Sequence, residues 1–371
     1  MKSNLSRSRL IMFKELNLVV ITTIVCVIIQ TVQFAETVEK EQDANFLAHK
    51  HAELDKFEGN QRILKEWHAE APENHPQEAM SDVLAELAHG SSLETRLKED
   101  MLRGEHEVED LPEEFDARQK WKKCSRMIGT VYNGGPCRSD YAIVAASTLA
   151  DRICIKSNGK AKALLSAQKV LGCYGSCKEG GFIWTALKHL NESGTTTGGL
   201  FKPKRGCIPF EPPPCSHVGG SVLGTDNEVA SQNCSRIPMK EYECPKKCTN
   251  GKYKETFEKD IRKTQTFQWT STVTENIKKE IYVNGSVAAG FSMYEDFRWY
   301  KQGVYEKGQS AKYEYIHKVK LIGWGKNNGT AYWLGVNSFG KEWGLKGLFK
   351  IPSGRNYLFI ETLCLDITPR L

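Results

Sequence analysis

Ten of the twelve cysteines in this 371-residue chain crowd between Cys124 and Cys248, with Cys26 far upstream and Cys364 alone near the end. A clustered, even-numbered set of this kind forms a disulfide framework in an oxidising compartment, where it ties long loops to one fold. Zinc is the competing reading, because Cys244-Pro-Lys-Lys-Cys248 and Cys215-Ser-His217 have ligand-like spacing. The compartment decides between them.

The N-terminus bears on that choice. Lys2, Arg7, Arg9 and Lys14 precede an apolar run from Leu16 to Ala35, after which the chain turns acidic. This is the layout of a signal peptide over 1–35. An uncleaved anchor is the alternative, since the run approaches the roughly 20 residues that span a bilayer; Thr22 and Thr23 interrupt it. Sequons at Asn191, Asn233, Asn284 and Asn328 also suit a lumenal route, although Cys234 lies inside the second. The expectation is disulfides rather than zinc, no metal or other cofactor, no membrane attachment after signal cleavage, and an extracellular or lysosomal destination.

Charge divides what remains. Residues 36–110 hold 20 acidic and 8 basic side chains, a net of −12, whereas 111–371 carries +15. Six of the nine histidines, His49, His51, His68, His75, His89 and His106, belong to the acidic arm. They titrate between neutral and mildly acidic pH, so attraction between arm and body weakens on acidification. Leu54, Phe57, Leu64 and Trp67 fall on one helical face, and Val83, Leu84 and Leu87 on another. Ser91 and Glu94 have capping-box spacing. A solvated linker has no use for such stripes, so 36–110 is expected to be a helical, docking prosegment.

In the body, "SDYAIVAASTLADRIC" places Val144, Ala145, Leu149 and Ile153 on a helix face after a Ser139 cap. The later "GSVAAGFSMY", "HKVKLIGWG" and "AYWLGVNS" are strand-like and bounded by glycine. Helices first and strands second is an α+β pattern.

Nearly all of 111–371 resembles papain-family cysteine peptidases of the cathepsin B type. "LADRICIKSNG", "GGLFKPKRGC", "CPKKC", "HKVKLIGWG" and "YWLGVNSFGKEWGLKGLFKI" carry the resemblance, whereas 36–110 keeps little beyond "WHAEAPEN". The resemblance implies a helical domain and an antiparallel barrel domain facing across a cleft, with a prosegment as intramolecular partner. It also implies the bridges Cys124–Cys154, Cys137–Cys177, Cys173–Cys244, Cys207–Cys248 and Cys215–Cys234, leaving Cys364 out. Tyr174 stands where the family has one cysteine of a further short bridge.

A cysteine peptidase needs a thiolate at a helix N-terminus, an imidazole, a group to orient that imidazole, and oxyanion donors. By resemblance the imidazole is His317 and the orienting amide Asn337. The nucleophile's position holds Asp140, and the oxyanion glutamine's position holds Gly134, with Asn133 as a neighbour that could take its place. Phe339 replaces the tryptophan that covers the histidine–amide bond. In the cleft, Gly180 and Gly181 match a substrate-lining glycine pair, with Lys178 and Glu179 lengthening the approach. Arg138 stands where the family has glycine, and His217 alone remains of an occluding-loop histidine pair. Leu363 replaces the acid often found at the base of the specificity pocket.

Carboxylate attack on a peptide would form a mixed anhydride while expelling an amine, which runs uphill. Aspartic-protease and glycosidase chemistry each require a second carboxylate. As a structural group Asp140 is better suited: at a helix N-terminus it gains roughly 0.3–1 kcal/mol from the dipole, and beside His317 it replaces a thiolate–imidazolium pair with a carboxylate–imidazolium pair. The expectation is a secreted or lysosomal homologue without peptidase activity that binds peptides, protease inhibitors or cell-surface proteins. The alternative is an active cysteine-type endopeptidase or related hydrolase. No recognition motif supports nucleic-acid binding by the basic body.

Overall fold

The computed structural model describes residues 76–88, 111–218 and 232–371, all within one compact unit, Lys65–Leu371. The expected signal peptide, the stripe ending at Trp67, the Ser91–Glu94 spacing and the six arm histidines lie outside the described residues. Helices of seven or more residues are α1 (Gln77–Ala88), α2 (Asp140–Lys156), α3 (Ala167–Cys173), α4 (Ile183–Glu192) and α5 (Thr274–Asn284). The strands are β1 (Phe115–Asp116), β2 (Thr264–Trp269), β3 (Val287–Tyr294), β4 (Tyr313–Asn327), β5 (Thr330–Val336), β6 (Leu348–Pro352) and β7 (Cys364–Pro369). They form one sheet in the order β2-β7-β3-β4-β5-β6, with β1 added to β4 and every pairing antiparallel. This is the expected α+β order, and the three strand-like segments are β3, β4 and β5.

Helix α2 is enclosed on every side, polar residues included: each residue from Asp140 to Cys154 is buried, with Ala142, Ala145, Ala146 and Ala150 small enough to admit its neighbours α3 and α4. Two polar residues anchor it to the sheet. Asp151 Oδ2 pairs with Lys320 Nζ of β4 at 2.7 Å and accepts from Ser286 Oγ at 2.8 Å. Arg152 donates to the carbonyls of Ser286 and Ile367 and to Glu280. Burying such charges is tolerable only because each finds its partner.

Ser139 requires a correction. It occupies the N-cap position of α2, but its hydroxyl donates to the Gly134 carbonyl at 3.3 Å instead of accepting from a helix N–H. The Asp140 carboxylate takes that role, accepting from Tyr141 N at 2.9 Å.

All five implied disulfides are present. The zinc-like pairs are therefore spoken for: Cys244 is joined to Cys173, Cys248 to Cys207, and Cys215 to Cys234. Cys364 joins none of them; it is buried in β7 and its thiol donates to the Ile360 carbonyl. Tyr174, next to the bridged Cys173, packs its ring tilted against His189 with centroids 5.0 Å apart. No helix among the described residues is long and apolar enough to cross a membrane.

Candidate active site

Three elements bring the centre together: the first residue of α2, the middle of β4, and the segment just beyond β5. Asp140 Oδ2 lies 2.8 Å from His317 Nδ1, and His317 Nε2 lies 2.7 Å from Asn337 Oδ1. Ser338 N also donates to that same Asn337 oxygen at 2.7 Å, which fixes which way the amide points. Both imidazole nitrogens thus face acceptors. Only a doubly protonated ring donates to both, so the geometry is that of a carboxylate–imidazolium pair.

The carboxylate itself is fully engaged. Oδ1 accepts from Tyr141 N, and Oδ2 accepts from His317 and from Lys318 N at 3.0 Å. Burial alone would raise the Asp140 pKa; the His317 hydrogen bond and charge, together with Lys318, outweigh it and hold the carboxyl below its ordinary range. Asp140, His317 and Asn337 are 7%, 0% and 3% exposed, so this set is shielded from solvent. Phe339 lies over the imidazole at 4.9 Å, with Phe291 edge-on at 5.9 Å.

A cavity of about 580 Å³ opens beside the pair, lined by Gly134, Arg138, Asp140, His217, Tyr315 and His317 among others. Gly134 gives its backbone N–H to Ser338 O, and a Cβ there would come within 3.0 Å of Ser139 Oγ. Asn133 is turned toward the Cys215 segment: its amide nitrogen donates to Cys215 O, and its oxygen accepts from Gly135 N and Cys215 N. Arg138 is exposed, its guanidinium 5.3 Å from the centre of the Tyr315 ring.

His217 stacks on Phe339 with ring centroids 4.3 Å apart, and burial together with the charges of Arg298 and His317 pushes its pKa down to about 3. It stays neutral under any ordinary condition. Cys215, His217 and Cys234 approach one another closely, but the two sulfurs are bonded to each other. Gly180 and Gly181 are not among the residues lining this cavity. Gly180 sits against Arg138, and Gly181 is required by the Tyr141 ring, 2.8 Å from where its Cβ would lie. The lengthened turn at Lys178 and Glu179 is held by Glu241, which accepts from Cys177 N and Lys178 N. Leu363 is 1% exposed and packs against Gly290, inside the core cluster shared with the helices.

Sequence reasoning missed a second charge pair beside the centre. Lys318 Nζ forms a 2.7 Å ion pair with Glu86 of α1, and the two side chains are 11% and 3% exposed. One turn earlier, Asp82 Oδ2 accepts from the Tyr313 hydroxyl at 2.6 Å. Val83 and Leu87 join the core cluster, as their stripe predicts, while Leu84 is only half-buried. The available signal was a lysine next to His317 in a strand-like segment that is expected to be buried over much of its length. Such a side chain needs an anion.

Comparison with known proteins agrees with this architecture. The family profile described as "Papain family cysteine protease" matches residues 111–365. "Cathepsin B-like cysteine proteinase 4" of Caenorhabditis elegans is 35% identical over 72% of this chain and 78% of its own length. "Cathepsin B-like cysteine proteinase 3" of the same organism is 36% identical over 84% of this chain and 75% of its own. Among solved structures, proCathepsin B S9 from Trypanosoma congolense superposes with a TM-score of 0.55 at 27% identity, covering 71% of this chain and 79% of that one. A helix-first α+β fold, a buried histidine–asparagine pair facing the N-terminus of the central helix, and a profile match across the whole body lead to one assignment: the chain belongs to the papain family of cysteine proteases, as a cathepsin B-like member.

Proposed function

We propose that this chain is a cathepsin B-like homologue that does not turn peptides over and acts by binding peptides or proteins in its cleft. One observation carries the reading: the group at the head of α2 facing His317 is a carboxylate, held by three hydrogen-bond donors. A carboxylate so held keeps the charge pattern of a thiolate–imidazolium pair without its nucleophilicity. Gly134 offers no side-chain donor, and Asn133 is committed to the Cys215 loop. Among the described residues the one cysteine outside the five bridges is Cys364, buried in β7. In this reading 1–35 is a signal peptide and 36–110 a prosegment that covers the cleft, with the secretory route, outside the cell or in the lysosome, as destination. Protease inhibitors, peptides and cell-surface proteins are the partner classes such a cleft suits.

The test is turnover of fluorogenic dipeptide substrates from about pH 4 to about pH 8 by protein freed of its prosegment. The expected rate is that of buffer. Turnover that disappears in His317→Ala would establish an active hydrolase instead. Asp140→Cys alone should restore little, because loss of one oxyanion donor costs on the order of 10²–10³ in rate; full activity in that variant would show that Gly134 and Arg138 do not hinder the chemistry.

A further inference from the structure

The Lys318 ammonium is placed where a lysine is costly. It is almost fully covered, it neighbours a charge pair that is already balanced, and its counter-ion comes from α1. With Glu86 present, the four groups Asp140, His317, Lys318 and Glu86 sum to zero charge. Without Glu86 they carry one positive charge, which is tolerated while water reaches the Lys318 ammonium but is costly once a ligand covers it again. A ligand that takes the place of α1 over Lys318 is therefore favoured if it brings an anion.

The carboxylate now in place shows what the position accepts. Glu86 Oε1 meets Lys318 Nζ, and Oε2 lies 3.4 Å from the Ile183 N–H at the start of α4, so one carboxylate group spans body elements on both sides. Val83 and Leu87, on the same face of α1, sit in the apolar cluster beside it. Glu86 is thus a built-in example of an acidic side chain flanked by apolar ones.

Building on the non-catalytic reading above, we propose that Lys318, beside the Asp140–His317 pair and under α1, forms a carboxylate-accepting subsite, so that the ligands of this protein are peptides with a glutamate or aspartate at this position, and Glu86 occupies the subsite until the prosegment leaves. The Ile183 N–H adds direction to the contact. Lys318 sets specificity here and takes no part in bond-making.

The probes are two end-blocked, fluorescent apolar peptides that differ only in a central glutamate or glutamine, measured by anisotropy at about pH 5 against the full chain and its variants after an added protease nicks them near Glu105–Asp110 so that α1 can leave. In Glu86→Gln, which removes the competing carboxylate while nearly keeping side-chain shape, the glutamate peptide should bind about tenfold better than the glutamine peptide, as a desolvated charge-assisted pair requires. Wild-type chain should bind both more weakly because Glu86 competes. Adding Lys318→Met to Glu86→Gln should abolish the preference, and adding Lys318→Arg should keep it. Equal binding of the two peptides, no binding of either, or a preference that survives Lys318→Met overturns the proposal. Mass spectrometry of the recovered peptides separates the two ideas, since cleaved peptide would overturn the non-catalytic reading while leaving the preference as measured.

Discussion

Asp140 keeps its charge because His317 and Lys318 face it, so protonating it must cost the fold. Its carboxyl is held below the ordinary value of 3.8; a carboxyl depressed in the folded state stabilises the fold above the unfolded pKa and loses that contribution as pH falls through the folded one. Thermal unfolding between about pH 2 and about pH 5 should show a steep acid limb in the wild type. Asp140→Asn should flatten that limb and cost about 3 kcal/mol near neutrality, since it strips His317 of its counter-ion. Parallel limbs in both proteins would mean that other carboxylates control acid unfolding. At this scale the sequence was legible wherever a motif names a residue: Asp140, His317 and Asn337 meet as the resemblance implies. Lys318 and Glu86 were not legible, because their pairing joins positions 232 apart in the chain and neither lies in a motif that signals the other. His217 and Leu363 were legible as positions only; the stacking on Phe339 and the packing against Gly290 depend on side-chain placement that no spacing encodes.

The elements around the centre are held by bonds that the cysteine pattern does announce. Cys137–Cys177 ties the loop leading into α2 to the turn ahead of α4, and Arg138 N reinforces that junction by donating to Cys177 O. Cys137→Ser should therefore cost on the order of 2–5 kcal/mol and lower the secreted yield. Non-reducing peptide maps of the wild type should join the ten bridged cysteines in the five pairs found here, and a fragment linking Cys364 to any of them would contradict the structure. Periodicity located α2 and the strands because their apolar faces are long and bounded by glycine or a polar cap. It could not locate what anchors α2 on the sheet. Nothing in the apolar spacing of α2 says where Asp151 and Arg152 go, and only the approach of Lys320, Ser286 and Glu280 from other elements makes their burial affordable.

Across the whole molecule, an acidic arm of −12 precedes a body of +15, and α1 is the part of that arm whose contacts are described. It binds through two carboxylates, Asp82 and Glu86, which meet Tyr313 and Lys318, and through the apolar Val83 and Leu87. Charge and burial thus act together, and they respond differently to conditions. Screening weakens the long-range attraction between arm and body, whereas the covered Lys318–Glu86 pair is screened far less. Acidification adds positive charge to the six histidines of the arm as pH falls through roughly 6.5, which reduces the same attraction. The expected behaviour follows: after an added protease nicks the full chain near Glu105–Asp110, the released arm should stay bound at about pH 7.5 and dissociate more readily at about pH 5. Size-exclusion chromatography of the nicked protein at the two pH values measures it. Replacing the six histidines by glutamine should remove most of the difference, while Glu86→Gln should weaken binding at both. Retention that is equal at the two pH values would rule out the histidine mechanism, and loss of the arm at both would mean that α1 and its carboxylates do not hold it once the chain is cut.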